Sequence, residues 1–229
     1  MPAYLDEKNR YRKHLTTELV YANITCVMED ERRKQTEQKL IRFGKEEFLK
    51  KGYAKASLRE ICKAAGVTTG AFYFSFENKE ALLSAILDPV IADYEHMCSE
   101  LARREEEDPA TAEDNDRQIM EYLSGHCEEA IILMEKASGS RYEGVRKQID
   151  LQMQAAFTSY FSKFMGSAPD AELIRILVAM RLQGYMELIK GDYTVEERVR
   201  LAKEIGIHAD AGTIALIQYL KEQKEVYRR

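Results

Sequence analysis

Two consecutive stretches, "SLREICKAAG" (Ser57–Gly66) and "VTTGAFYFSFENKEAL" (Val67–Leu82), decide how this chain folds. Ser57 with Glu60 three positions later predicts a capping box and a helix that begins at Leu58. Gly66 tolerates a left-handed turn, so that helix ends at Ala65. Val67 is a lone apolar residue inside the turn, Thr68 caps a second short helix over roughly Thr69–Ser75, and Asn78 caps the next one. Two short helices joined by a tight turn, with Gly at its start and an apolar plug within it, form the pattern of a helix-turn-helix. Phe72 and Phe76, four apart, share the inward face and anchor the second helix, while Tyr73 and Phe74 point away from it.

Upstream, Leu40, Gly44 and Phe48 recur at i, i+4 and i+8 with Ile41 alongside, and Gly52 follows as a stop signal. They predict a helix from about Glu31 to just before Gly52. Only 4 Pro and 12 Gly interrupt 229 residues rich in Ala, Leu, Glu, Lys and Arg. No run alternates in the manner of a strand. The expectation is therefore an all-α protein, with an N-terminal three-helix unit and a larger helical body.

The residues "GYAKASLREICKAAGVTTGAFYFSFENKEALLSAIL" resemble the DNA-binding domain of the tetracycline-repressor-like (TetR) family of bacterial transcriptional regulators. The resemblance rests on the Gly-Tyr after the first helix, the "AAGV" turn, the "GAFY" start of the recognition helix, the aromatic at Phe76 and the "KEAL" opening of the fourth helix. It covers about 50 residues. It implies a DNA-binding domain over residues 32–88 and a helical effector-binding and dimerisation domain over 89–229. Residues 1–31 stay an extension of open role, with Met28 a conceivable alternative start.

The resemblance places Tyr73 and Lys79 on phosphate oxygens, and both chemistries suit: a phenol is a rigid donor, and an ammonium is a point charge for phosphate. Ser57 and Thr68 are helix caps first, with hydroxyls that can also face phosphate. Thr69 and Gly70 stand at the leading edge of the recognition helix, where base contact or close approach occurs. Phe74 departs from the polar residue of many relatives; it either packs on a thymine methyl or folds back on the first helix. Arg32, Arg33 and Lys34 lead into the first helix and can reach backbone or minor groove, whereas Lys39, Lys45, Lys51 and Lys55 read as solvated charges.

Charge supports this layout. From Arg32 to Lys79 there are 12 basic and 5 acidic residues, against 18 basic and 28 acidic from Glu80 onward. A basic module on an acidic body is what a chain needs when only the module meets a polyanion. Four Cys without paired spacing and no apolar run long enough for a bilayer predict a soluble, cytoplasmic protein. No phosphate-cradling loop, H-E-x-x-H or nucleophile elbow is present, so neither catalysis nor a cofactor is expected. His96 with Cys98 and His126 with Cys127 leave a thiol or metal sensor as a minor alternative, and no repeated ligand spacing supports one.

Asp88-Pro89 predicts a break or kink of the fourth helix. "REEEDPATAEDNDR" reads as an acidic loop, followed by helices over about Asp116–Leu123 and His126–Lys136. Ser140 with Glu143 suggests a second capping box that opens a helix to about Met165. Its stripe of Met153, Phe157, Tyr160 and Phe161 is either core or the wall of a small-effector cavity. "DAELIRILVAMRLQGYMELIKGD" and "TIALIQYL" are apolar over nearly their whole circumference, which predicts a homodimer through helices near 170–190 and 208–225. The function these features imply is a dimeric repressor on a near-palindromic operator of double-stranded DNA, released by a small hydrophobic effector. Glu128, Glu135, Asp150 and Glu187 permit that effector to be cationic. The alternative is a DNA-binding protein of nucleoid or division type with no effector, which an open apolar cavity would disfavour.

Overall fold

In a computed structural model, residues 30–107 and 112–227 are described, and among them every regular element is a helix. Helix α1 spans residues 30–51. It is followed by α2 (Leu58–Ala65), α3 (Thr69–Ser75), α4 (Lys79–Glu107) and α5 (Ala112–Gly125). Then come α6 (Cys127–Ile131), a π-helical turn (Ile132–Lys136), α7 (Val145–Met165), α8 (Ala171–Lys190) and α9 (Val195–Tyr227). Most of the 1–31 extension, with Met28, lies outside the described residues, as does the centre of the acidic loop. None of the described helices is long and apolar enough to cross a membrane.

The described residues divide into two compact units, one made of those up to Glu46 with Ser57–Leu83, the other of Glu47–Ala56 with those from Ser84 onward. In the first, Leu40, Ile61, Phe72, Leu82 and Leu83 are fully buried together with Cys62, Ala65 and Phe76. Gly44 is buried among them for a spatial reason: a Cβ there would stand 2.8 Å from Cδ2 of Leu82, so glycine lets α1 and α4 come this close without displacing the Leu82 side chain. Gly52 and Gly66 end α1 and α2 at φ of 74° and 67°, the left-handed region that a glycine enters without strain.

The second unit has its own core of Phe161, Ile174, Val178 and Ile217, with Leu177, Leu182 and Leu220 packed against it. Arg198 is buried between α8 and α9. Its guanidinium donates to the Leu188 carbonyl at 2.8 Å and the Gly191 carbonyl at 3.1 Å, satisfying the C-terminal end of α8. Asn115 on α5 donates to the Leu101 carbonyl of α4 at 3.2 Å.

The structure corrects several local expectations. Helix α4 runs through Pro89 without a break. Asp88 caps nothing; its carboxylate accepts from the Tyr142 hydroxyl and the Arg141 guanidinium, which replaces the local cap with a tertiary tie. Ser140 and Glu143 do not open α7. Ser140 Oγ donates to the Ala137 carbonyl at 2.6 Å and accepts the Tyr142 N–H at 3.1 Å, while Glu143 accepts from Ser138 at 2.9 Å. A turn results that buries Tyr142, and α7 starts only at Val145. The acidic loop is shorter than expected because α4 extends to Glu107 and α5 begins at Ala112. The helix expected over His126–Lys136 changes to π geometry at Ile132.

Candidate nucleic-acid interface and cavity

The turn between α2 and α3 is held by its own backbone. Gly66 N–H donates to the Lys63 carbonyl at 3.2 Å and Val67 N–H to that of Cys62 at 3.0 Å. Thr68 Oγ1 accepts the Ala71 N–H at 3.1 Å and caps α3. Ser57 occupies the N-cap of α2 in extended conformation, but its side chain makes no cap bond, so its half of the expected capping box is not formed. Asn78 Oδ1 accepts from Ala81 N–H at 2.9 Å and caps α4.

Helix α3 is two-sided. Phe72 is fully buried, with its ring 5.8 Å from that of Phe76, so these two side chains fasten the helix to its unit. On the opposite side Thr69 and Gly70 are exposed, Tyr73 is 57% exposed and Phe74 is 82% exposed. Phe74 therefore does not fold back on α1. Tyr73 is not loose: its ring meets Phe72 edge-on at 5.4 Å, which aims the hydroxyl outward from a fixed base. Lys79, in the first turn of α4, is half-buried; burial lowers its pKa while Glu80 opposes the shift. The structure thus brings Thr68, Thr69, Gly70, Tyr73, Phe74 and Lys79 into one short segment of the first unit, with Ser57 at the start of α2.

The second unit contains a cavity of about 1370 Å³ bounded by α4, α5, the α6–π segment, α7, α8 and α9. Met120, Leu133, Met134, Ile149 and Met186 supply apolar wall, and Met153 and Phe157 line it as the α7 stripe suggests. Tyr160 and Phe161 do not. Tyr160 is 45% exposed and Phe161 belongs to the core beside Ile174 and Val178: the stripe keeps to one side of α7, but beyond Phe157 it has run past the end of the cavity. Polar groups interrupt the wall. Tyr122 donates to the Val90 carbonyl at 2.8 Å and stacks on His126 at 4.3 Å, whose Nδ1 lies 2.9 Å from the Tyr122 carbonyl.

Of the four acids that the sequence offers to a cation, none lines this cavity. Glu135 pairs with Lys190 at 2.8 Å, Glu187 accepts from Gln183 at 2.6 Å, and Asp150 accepts from Gln154 at 2.8 Å. Burial raises the Tyr94 phenol well above its ordinary range, with Cys98 adding to the effect. Burial likewise pushes the Cys62 and Cys127 thiols up, which disfavours the thiolate form. Among the described residues no group of three His, Cys, Asp or Glu is placed to hold a metal.

Residues 40–86 match the family described as bacterial regulatory proteins, tetR family. The chain is 34% identical over 79 residues to the HTH-type transcriptional regulator TtgR of Pseudomonas putida, 34% of this chain and 38% of that protein. The probable HTH-type transcriptional regulator ArpR of Pseudomonas putida gives the same identity and coverage. The transposon Tn10 TetC protein of Escherichia coli is 48% identical over 52 residues, 23% of this chain and 26% of TetC. A transcriptional regulator (TerR/AcrR family) of Aquifex aeolicus VF5, a solved structure, aligns over 75% of this chain and 98% of its own at 22% identity, with a TM-score of 0.48. The similarity to TtgR and ArpR thus spans well under half the length of either.

Local pattern is enough to find the α3 face, since turn residues and aromatic spacing lie close together in the chain. The cavity wall is a different matter. The sequence marks His126 only as a sensor alternative, and Tyr122 and Arg181 carry no signal of the cavity because one partner of each, Val90 for Tyr122 and Phe157 for Arg181, comes from another helix. Arg198 is missed for the same reason.

Proposed function

We propose that the protein is a homodimeric transcriptional repressor that binds a near-palindromic operator through α3 and is released by a small hydrophobic effector. The observation that carries this reading is the split of α3: Phe72 and Phe76 buried, Thr69, Gly70, Tyr73 and Phe74 presented outward in a segment that matches tetR-family regulators. In this reading residues 32–88 form the DNA-binding domain and 89–229 the effector and dimerisation domain. Tyr73 and Lys79 contact phosphate, Ser57 and Thr68 support them, and Thr69, Gly70 and Phe74 face base edges, Phe74 against a thymine methyl. The cytoplasm is where such a protein meets its operator, and the role is binding, not catalysis.

The dimer reading is supported by the outward side of the last two helices. Ile176 and Met180 on α8 are 43% and 66% exposed, and Ile214 and Tyr219 on α9 are 61% and 55% exposed. A second copy that covers this stripe removes apolar surface from water, the ordinary drive for a two-fold four-helix interface. The cavity supports an effector over the alternative of a nucleoid or division protein without one, since a filled core would leave no such space.

Selection of random duplexes by the purified protein, with sequencing and a salt titration of the winner, tests the reading. The expected result is a near-palindrome with half-sites about one DNA turn apart and affinity that falls steeply with salt. Absence of an enriched sequence, or binding insensitive to salt, would overturn it.

A further inference from the structure

The cavity wall carries six charged side chains, and they are not equivalent. Arg117 is exposed and pairs with Glu121 at 2.7 Å. Glu129 and Lys203 are each engaged in interactions of their own. Glu95 and Asp210 are solvent-exposed, where a high dielectric weakens their pull on a ligand. Arg181 differs from all of these. It is half-buried, its guanidinium carbon lies 5.7 Å from the centre of the Phe157 ring and 6.0 Å from that of Tyr185, and among the described residues it makes no ion pair and no hydrogen bond.

A guanidinium presents five N–H donors in its own plane. Ring faces attract its charge, yet they do not occupy those in-plane donors. A partly buried cation held by two aromatics, with its donor fork unused, is complementary to a planar oxyanion that arrives from the cavity, because that shape allows paired N–H···O bonds. Around it the wall is soft and apolar, supplied by Met120, Met134, Met153 and Met186. Such a wall suits an extended hydrophobic body, and the other charged side chains on it are paired, engaged or open to solvent.

We propose that the cavity takes an amphipathic organic anion, with an apolar body on the methionine-lined wall and a carboxylate anchored by Arg181. This rests on the reading of the cavity as an effector site and replaces the cationic effector that the sequence permits.

The test is calorimetric titration of the full chain with three probes of one chain length, decanoate, decan-1-ol and decyltrimethylammonium, the two ions below their micelle thresholds and the alcohol below its solubility limit. Decanoate is expected to bind at least tenfold more tightly than decan-1-ol, with the ammonium weakest. Arg181→Gln should cost decanoate about that factor and leave decan-1-ol within twofold, and Arg181→Lys should restore part of the loss. Tighter binding of the ammonium, no binding of any probe, or an equal loss of all three in Arg181→Gln would overturn the proposal. A DNA shift assay on the selected duplex separates the two readings. If decanoate binds through Arg181 while the protein holds no duplex, the anion site stands and the regulator reading falls. If the duplex is bound and the ammonium alone releases it, the regulator reading stands and the anion site falls.

Discussion

Gly44 and Leu82 meet across the α1–α4 contact with no room for a methyl group: a Cβ on Gly44 would lie 2.8 Å from one Leu82 methyl and 3.2 Å from its Cγ. Leu82 is itself fully buried, so it has little freedom to move aside. Gly44→Ala trades a gain of about 1 kcal/mol in helix propensity against this overlap and should lie near neutral. Gly44→Val has no such compensation and should destabilise the protein by about 1–3 kcal/mol, read from urea denaturation. A midpoint equal to that of the parent would show that Leu82 turns aside without cost.

On the α3 face, Tyr73→Ala and Lys79→Ala should weaken binding to specific and random duplexes alike. Lys79→Ala should also reduce the salt slope by about one unit, the signature of a lost cationic phosphate contact, whereas Tyr73→Ala removes a neutral donor and should leave the slope unchanged. Thr69→Ala should instead change which bases are preferred, with a discrimination loss of about 1–3 kcal/mol at one position. If all three variants shifted sequence preference in the same way, the division of roles on α3 would be wrong.

Asp88 supplies a pH dependence. Burial opposes its ionisation, but the hydrogen bonds from Tyr142 and Arg141 and the charge of Arg141 outweigh that and hold its pKa below the ordinary value. A carboxylate with a lowered folded pKa stabilises above the unfolded value of about 3.9 and loses that contribution as pH falls through the folded value. The thermal-stability gap between the parent and Asp88→Asn should therefore be present at pH 6 and shrink below about pH 4. Asp88 is half-exposed, so the gap is small. Tyr142→Phe, which removes one donor, should narrow the same pH dependence.

The apolar stripe on α8 and α9 predicts an association defect. Met180→Asp with Ile214→Asp should leave the helical spectrum intact, since both side chains are exposed, and should halve the mass seen by sedimentation equilibrium. Operator affinity should fall with it. A parent protein that is already monomeric at micromolar concentration would end the dimer reading.

What the sequence determined by itself is local. The turn at Gly66 and Val67, the caps at Thr68 and Asn78, and the inward pairing of Phe72 with Phe76 follow from residues within one or two helical turns of each other, so spacing alone carries them. Tertiary structure decided the rest. It carried α4 through Pro89 and tied Asp88 to Arg141 and Tyr142, and it turned the Ser140–Glu143 signal into a loop that buries Tyr142. It also separated Phe157, on the cavity wall, from Phe161, in the core, and set Arg181 over rings from two helices. Side chains that meet across long sequence distances take their environment from packing, and no periodicity within one helix records which neighbour will arrive.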